Sequence, residues 1–87
     1  MNDLNVEKIE AQLISIIASV KNLTSTDISL QPEDDFISQY GLSSMDAVSL
    51  SVKISQVFGF GFGQEVEDID GLSSFGALTQ LVQKRAA

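Results

Sequence analysis

Few side chains in this sequence can do chemistry, and their types narrow the field. The chain has no Cys and no His. That excludes zinc sites built from cysteine or from cysteine and histidine. It also excludes Ser–His and Cys–His nucleophilic pairs, and it removes the usual general base near neutral pH. A carboxylate or lysine base stays open, but the composition points to a binding or carrier role rather than to catalysis. The residues that stand out are two adjacent serines, Ser43 and Ser44, set after Gly41-Leu42 and before Met45-Asp46. On local grounds alone, such a pair after glycine reads as a helix cap.

Two further features call for a chemical reading. Three glycines alternate with phenylalanines in Phe58-Gly59-Phe60-Gly61-Phe62-Gly63. The spacing is wrong for a dinucleotide fingerprint, and no Gly-Lys-Ser/Thr follows to make a phosphate-binding loop. Phe58 and Phe62 are expected to pack inward while the glycines permit tight bends. Aromatics lining a groove for an acyl chain are the alternative. The second feature is charge. With 5 basic and 12 acidic residues the net charge is −7, which makes nucleic acid and anionic membranes improbable partners. Between Asn22 and Gln83 the only base is Lys53. An acidic face invites basic partner proteins, although small proteins also use net charge to stay soluble.

These residues must be positioned by a small fold. The 87 residues support one domain, 1–87, with little margin. A first helix is expected from Asn5 to Val20, with Leu4, Val6, Ile9, Leu13, Ile16, Ile17 and Val20 recurring at helical steps and Asn2 or Asp3 as cap. Lys21 to Ser43 has no sustained period and reads as a long loop. Such a loop needs anchors, and Leu23, Ile28, Leu30, Phe36, Ile37, Tyr40 and Leu42 are the candidates, with a short helical turn at Asp34 to Gln39. A second helix follows from Ser44 to Phe58, capped by Ser43 or Ser44. Its apolar set is broader than one stripe, as for a central helix or one with an exposed sticky edge. One short helical turn is expected within Glu65 to Asp70, and a last helix from Ser73 or Ser74, with Lys84 and Arg85 at its C-terminus. The fold class is therefore all-α: a small bundle of three main helices plus a short extra one, with a long first loop. The acidic start, MNDLNVEKIE, is unlike a signal peptide, and the apolar run Leu13 to Val20 is too short to span a bilayer. The expected location is the cytoplasm.

In this setting the stretch Tyr40-Gly41-Leu42-Ser43-Ser44-Met45-Asp46-Ala47-Val48-Ser49-Leu50 resembles the attachment motif of acyl and peptidyl carrier proteins. The family pattern is Gly, any residue, Asp, Ser, Leu at the start of the second helix. Ser44 matches the modified serine, Ser43 stands in place of the aspartate, and Met45 in place of the leucine. Taking Ser44 as the site places apolar Val48 and Leu50 fourth and sixth after it, whereas Ser43 would place Ala47 and polar Ser49 there. The resemblance extends over nearly the whole chain in the order of its helices. It implies 4'-phosphopantetheine held covalently on Ser44, a carrier with no catalysis of its own, and a thioester-bound acyl, aminoacyl or polyketide cargo. The hydroxyl then needs no activation, because a phosphopantetheinyl transferase supplies the catalysis.

Tyr40-Gly41-Leu42 followed by Ala47-Val48-Ser49-Leu50-Ser51 also looks like carriers of polyketide and lipopeptide (nonribosomal peptide) pathways, including those loaded by fatty acyl-AMP ligases. Implied partners are an acyl-AMP ligase or acyltransferase for loading and ketosynthase or condensation-type enzymes downstream, meeting a monomer. In the family, partners read the second helix and the loop before it. The residues expected on that face here are Leu42, Ser43, Met45, Asp46, Ser49 and Lys53, with Leu42 and Met45 dominating and Asp46 as the main charge. The competing reading is an acidic helical interaction module without a prosthetic group, in which Ser44 is only a cap.

Overall fold

The computed structural model describes residues 6–63 and 66–86. Helix α1 (Val6–Val20) leads through a 3₁₀ turn at Ser25–Asp27 and a short α2 (Phe36–Gln39) to α3 (Ser44–Phe58). A short α4 (Val66–Asp70) and α5 (Phe75–Ala86) follow. No strand occurs among the described residues. The expected start of the first helix at Asn5, its stripe residue Leu4, the caps Asn2 and Asp3, and Glu65 of the short turn lie outside the described residues.

The amphipathic pattern of α1 does what its spacing dictates. Ile9, Leu13, Ile16 and Ile17 are buried and α1 packs against both α3 and α5. Leu50 and Ile54 of α3 and Phe75, Leu78, Leu81 and Val82 of α5 complete the bundle's core. Val6 departs from the expected stripe and is exposed at the head of α1. At its other end α1 closes with a left-handed residue, Asn22 (φ 59°). The Leu23 N–H bonds the Ala18 carbonyl at 2.7 Å, and the Asn22 N–H bonds that of Ser19 at 3.2 Å. This is the double closure that satisfies the last carbonyls of a helix.

The long first loop is held down along its length, which is why so few helical residues suffice there. Ile28, Phe36 and Leu42 are buried in the core, and Leu30, Ile37 and Tyr40 pack against it. Leu23, expected as an anchor, is exposed instead, because the closure of α1 turns it outward. The Tyr40 hydroxyl accepts from the Ser29 N–H at 2.8 Å. The first N–H groups of α5 are used on the loop as well: Phe75 donates to the Asp34 carbonyl at 2.9 Å and Gly76 to that of Pro32 at 2.7 Å. A Cβ at Gly76 would lie 2.9 Å from the Pro32 oxygen, so this approach needs glycine.

The Phe-Gly segment ends α3. Gly59 takes the left-handed conformation at its C-terminus (φ 74°). Phe62 is buried and Phe58 and Phe60 pack against the core, so the aromatics are committed to packing, as expected for Phe58 and Phe62. Arg85 holds the segment in place. Its guanidinium pairs with the buried Asp68 carboxylate at 2.5 Å and lies 5.1 Å from the centre of the Phe60 ring. Asp68 in turn accepts from the Gly63 N–H at 2.8 Å. Arg85, expected to serve the C-terminus of its own helix, thus ties α5 to α4 and to the Phe-Gly turn.

Candidate functional site

The first turn of α3 separates the two serines by role. Ser43 is the N-cap, with extended backbone (φ −80°, ψ 176°). Its hydroxyl accepts from the Asp46 N–H at 3.2 Å, and the Asp46 carboxylate accepts from the Ser43 N–H at 3.0 Å. This reciprocal pair satisfies two of the N–H groups that a helix start leaves unbonded. Ser44 is the first helical residue. Its side chain is exposed, and its hydroxyl has no hydrogen-bond partner among the described residues.

Lys21, the first residue after α1, reaches across to this turn. Its ammonium donates to the Asp46 carboxylate at 3.2 Å and to the Gly41 carbonyl at 3.3 Å. The Ser43 N–H first, and the Lys21 contact second, hold the Asp46 carboxyl below its ordinary pKa. The end of α1, the entry to α3 and the cap are thereby fastened together around Ser44.

The expected partner face comes out differently in detail. Met45 (75% exposed) and Ser49 point to solvent, and Ser43 is exposed. Leu42 does not: it is 8% exposed and belongs to the core, because the loop needs an apolar anchor just before α3. Asp46 is engaged in the cap and with Lys21 rather than presented outward. Lys53 is half-buried in a shallow groove with Ser15, Ile16, Ser19, Gln56 and Val57. The residues missed are Val48 and Val52, 59% and 50% exposed. Of the two positions that favoured Ser44 over Ser43, Leu50 goes to the core and Val48 goes outward. The signal was present in the sequence. Met45, Val48 and Val52 fall at steps of three and four on the side of α3 opposite Leu50 and Ile54, so the broad apolar set is two stripes, one inward and one outward.

The site can hold a phosphate ester at Ser44. The hydroxyl is uncommitted and sits where the positive end of a fifteen-residue helix favours negative charge. The carboxylate of the same turn, Asp46, is paired with Lys21. Ser43 fits poorly, since an ester there would consume the cap. A small helical bundle that presents an exposed serine hydroxyl at a helix start is a class of protein suited to being acted upon by other enzymes.

Comparison with known proteins gives that class its family. Residues 11–82 match the model of the phosphopantetheine attachment site family. An acyl carrier protein of Coprothermobacter proteolyticus is 34% identical over 59 residues, which cover 68% of this chain and 70% of the relative. No solved structure gives a significant match. The chain belongs to the acyl carrier family, whose members bear 4'-phosphopantetheine covalently and leave catalysis to the enzymes that visit them. The reading as an interaction module without a prosthetic group is thereby set aside. Among the described residues no helix is long and apolar enough to cross a membrane.

Proposed function

We propose that Ser44 is the attachment point, and that residues 1–87 act as one cytoplasmic, monomeric carrier domain for an acyl, aminoacyl or polyketide group in a polyketide or lipopeptide pathway. The observation that carries the assignment is the division of labour in the first turn of α3: the Ser43 hydroxyl is the cap, and the Ser44 hydroxyl is exposed and unused. A phosphopantetheinyl transferase takes the Ser44 proton, the Ser44 oxygen bonds to the β-phosphorus of coenzyme A, and the pyrophosphate bond of coenzyme A breaks to release adenosine 3',5'-bisphosphate. The attached arm supplies a terminal thiol that holds the cargo as a thioester. The helix N-terminus favours the phosphodiester charge, while the Lys21–Asp46–Ser43 contacts fix the turn that bears it. An acyl-AMP ligase or acyltransferase would load the arm, and ketosynthase or condensation-type enzymes would unload it. The pathway is supported by the resemblance of Tyr40-Gly41-Leu42 and Ala47 to Ser51 to such carriers.

The test is intact mass after co-expression with a broad-specificity phosphopantetheinyl transferase. The wild-type chain should gain the mass of one phosphopantetheine and Ser44→Ala none. An unmodified wild type, or a modified Ser44→Ala, removes the assignment.

A further inference from the structure

An arm attached at Ser44 puts a phosphodiester, and with it one negative charge, on that oxygen. Five basic residues could answer the charge. Arg85 is committed to the buried Asp68, and Lys84 stands beside it on α5. Lys8 lies near the start of α1, about 20 Å back along the helix from Lys21, and Lys53 lies about 14 Å along α3 from Ser44. Lys21 is the base that touches the attachment turn. Its ammonium is 3.2 Å from the Asp46 carboxylate and 3.3 Å from the Gly41 carbonyl, and that carboxylate accepts from the Ser43 N–H at 3.0 Å. These contacts lie on both sides of Ser44 in the chain. The N–H groups of Ser44 and Met45 have no acceptor among the described residues, so the mouth of α3 still has donors to offer a phosphate.

We propose that Lys21 is the counter-cation of the phosphodiester on Ser44: with the arm attached, the ammonium leaves the Gly41 carbonyl for a phosphate oxygen and bridges it to Asp46. The inference rests on Ser44 being the attachment point. Charge and contact strength both favour the exchange. In the unloaded chain Asp46 and Lys21 cancel. Loading adds an anion to the same turn, so with Lys21 two anions share one cation, and without it they face each other. The ammonium gives up a neutral acceptor for an ionised one, a contact about twice as strong. The Lys21 and Asp46 side chains are 29% and 24% exposed, so solvent screens this cluster less than it screens a fully exposed pair. Loading is thereby felt at the end of α1, since Lys21 directly follows its last residue, Val20.

The experiment compares unloaded and loaded forms of wild type, Lys21→Met and Lys21→Arg, each loaded from coenzyme A by a broad-specificity phosphopantetheinyl transferase and sorted by intact mass. Each variant is referred to its own unloaded form, so stability lost with the Lys21–Asp46 pair itself cancels. Loading should lower the Tm of Lys21→Met by about 4 °C more than that of wild type, the shift expected of one partly exposed ion pair in a domain of this size. Raising NaCl to about 500 mM should shrink that difference to about half or less. The phosphorus-NMR resonance of the loaded chain should differ between wild type and Lys21→Met. Lys21→Arg keeps the charge and should return both readouts towards wild type. Equal loading shifts in wild type and Lys21→Met, or a phosphorus resonance that does not move in Lys21→Met, overturns the proposal. So does a Lys21→Met chain that refuses the arm while wild type accepts it, which would give Lys21 to the transferase instead. A wild-type chain that gains no mass removes the Ser44 assignment itself, so the two failures are distinct.

Discussion

Ser43 and Ser44 are neighbours with the same functional group, and the geometry predicts opposite consequences for losing each hydroxyl. In Ser43→Ala the Asp46 N–H loses its 3.2 Å acceptor and the cap is broken on one side. Loss of a serine N-cap costs about 1 kcal/mol. For a domain of this size that corresponds to a Tm lower by about 4–8 °C. Ser43→Gly should recover most of the loss, since glycine at an N-cap costs only a few tenths of a kcal/mol (~0.3) relative to serine. Ser44→Ala removes an exposed hydroxyl with no partner among the described residues, so its stability should stay within about 0.5 kcal/mol of wild type. Urea titration with a shared slope measures these differences directly, and intact mass on the same samples measures loading. Ser43→Ala should be less stable and still accept the arm; Ser44→Ala should be stable and refuse it. Equal destabilisation by the two alanines, or loading that disappears with Ser43 and persists without Ser44, would refute the division of roles.

Arg85→Met should lower the free energy of unfolding by about 3 kcal/mol, because it leaves the buried Asp68 carboxylate without its guanidinium; urea titration should show the drop, and a loss under about 1 kcal/mol, the most that an exposed ion pair contributes, would mean that the pair is not holding the Phe-Gly turn. Asp46 makes the first turn of α3 acid-sensitive. Its carboxyl is held below the ordinary value by the Ser43 N–H and by Lys21, so its contribution is present above about pH 4 and is lost as pH falls towards the lowered folded pKa. Melting curves of wild type against Asp46→Asn between about pH 7 and pH 3 should converge at the acid end, and a constant gap across that range would contradict the assignment.

What the sequence made legible was whatever a period or a cap encodes locally. The burial of Ile9, Leu13, Ile16 and Ile17 followed from helical spacing, and the end of α3 at Phe58 followed from the glycines behind it. What it hid depends on contacts between distant segments. Leu42 reads as a loop residue beside the attachment turn, and only the packing of the loop shows it to be a core anchor. Arg85 reads as a base suited to the end of its own helix, and its actual partner, Asp68, is seventeen positions away on α4. Lys21 reads as the first residue of a loop. Nothing local says that the closure of α1 aims it at Asp46, twenty-five positions later. Val48 is not among the residues expected on the partner face, although the breadth of the apolar set allows an exposed edge; the structure shows that edge as Met45, Val48 and Val52.

The substitution of Ser43 for the family's aspartate now has a physical reading. A serine caps a helix as well as an aspartate does, so the change costs the helix little. What it removes is a carboxylate beside Ser44, the proposed attachment point. The remaining carboxylate, Asp46, sits three residues further on, where its first use is to bind the Ser43 N–H and its second is to meet Lys21. The acid that remains in this turn is thus engaged in a partly exposed contact that joins α1 to α3. The same step makes the outward stripe of Met45, Val48 and Val52 the main recognisable feature of the turn.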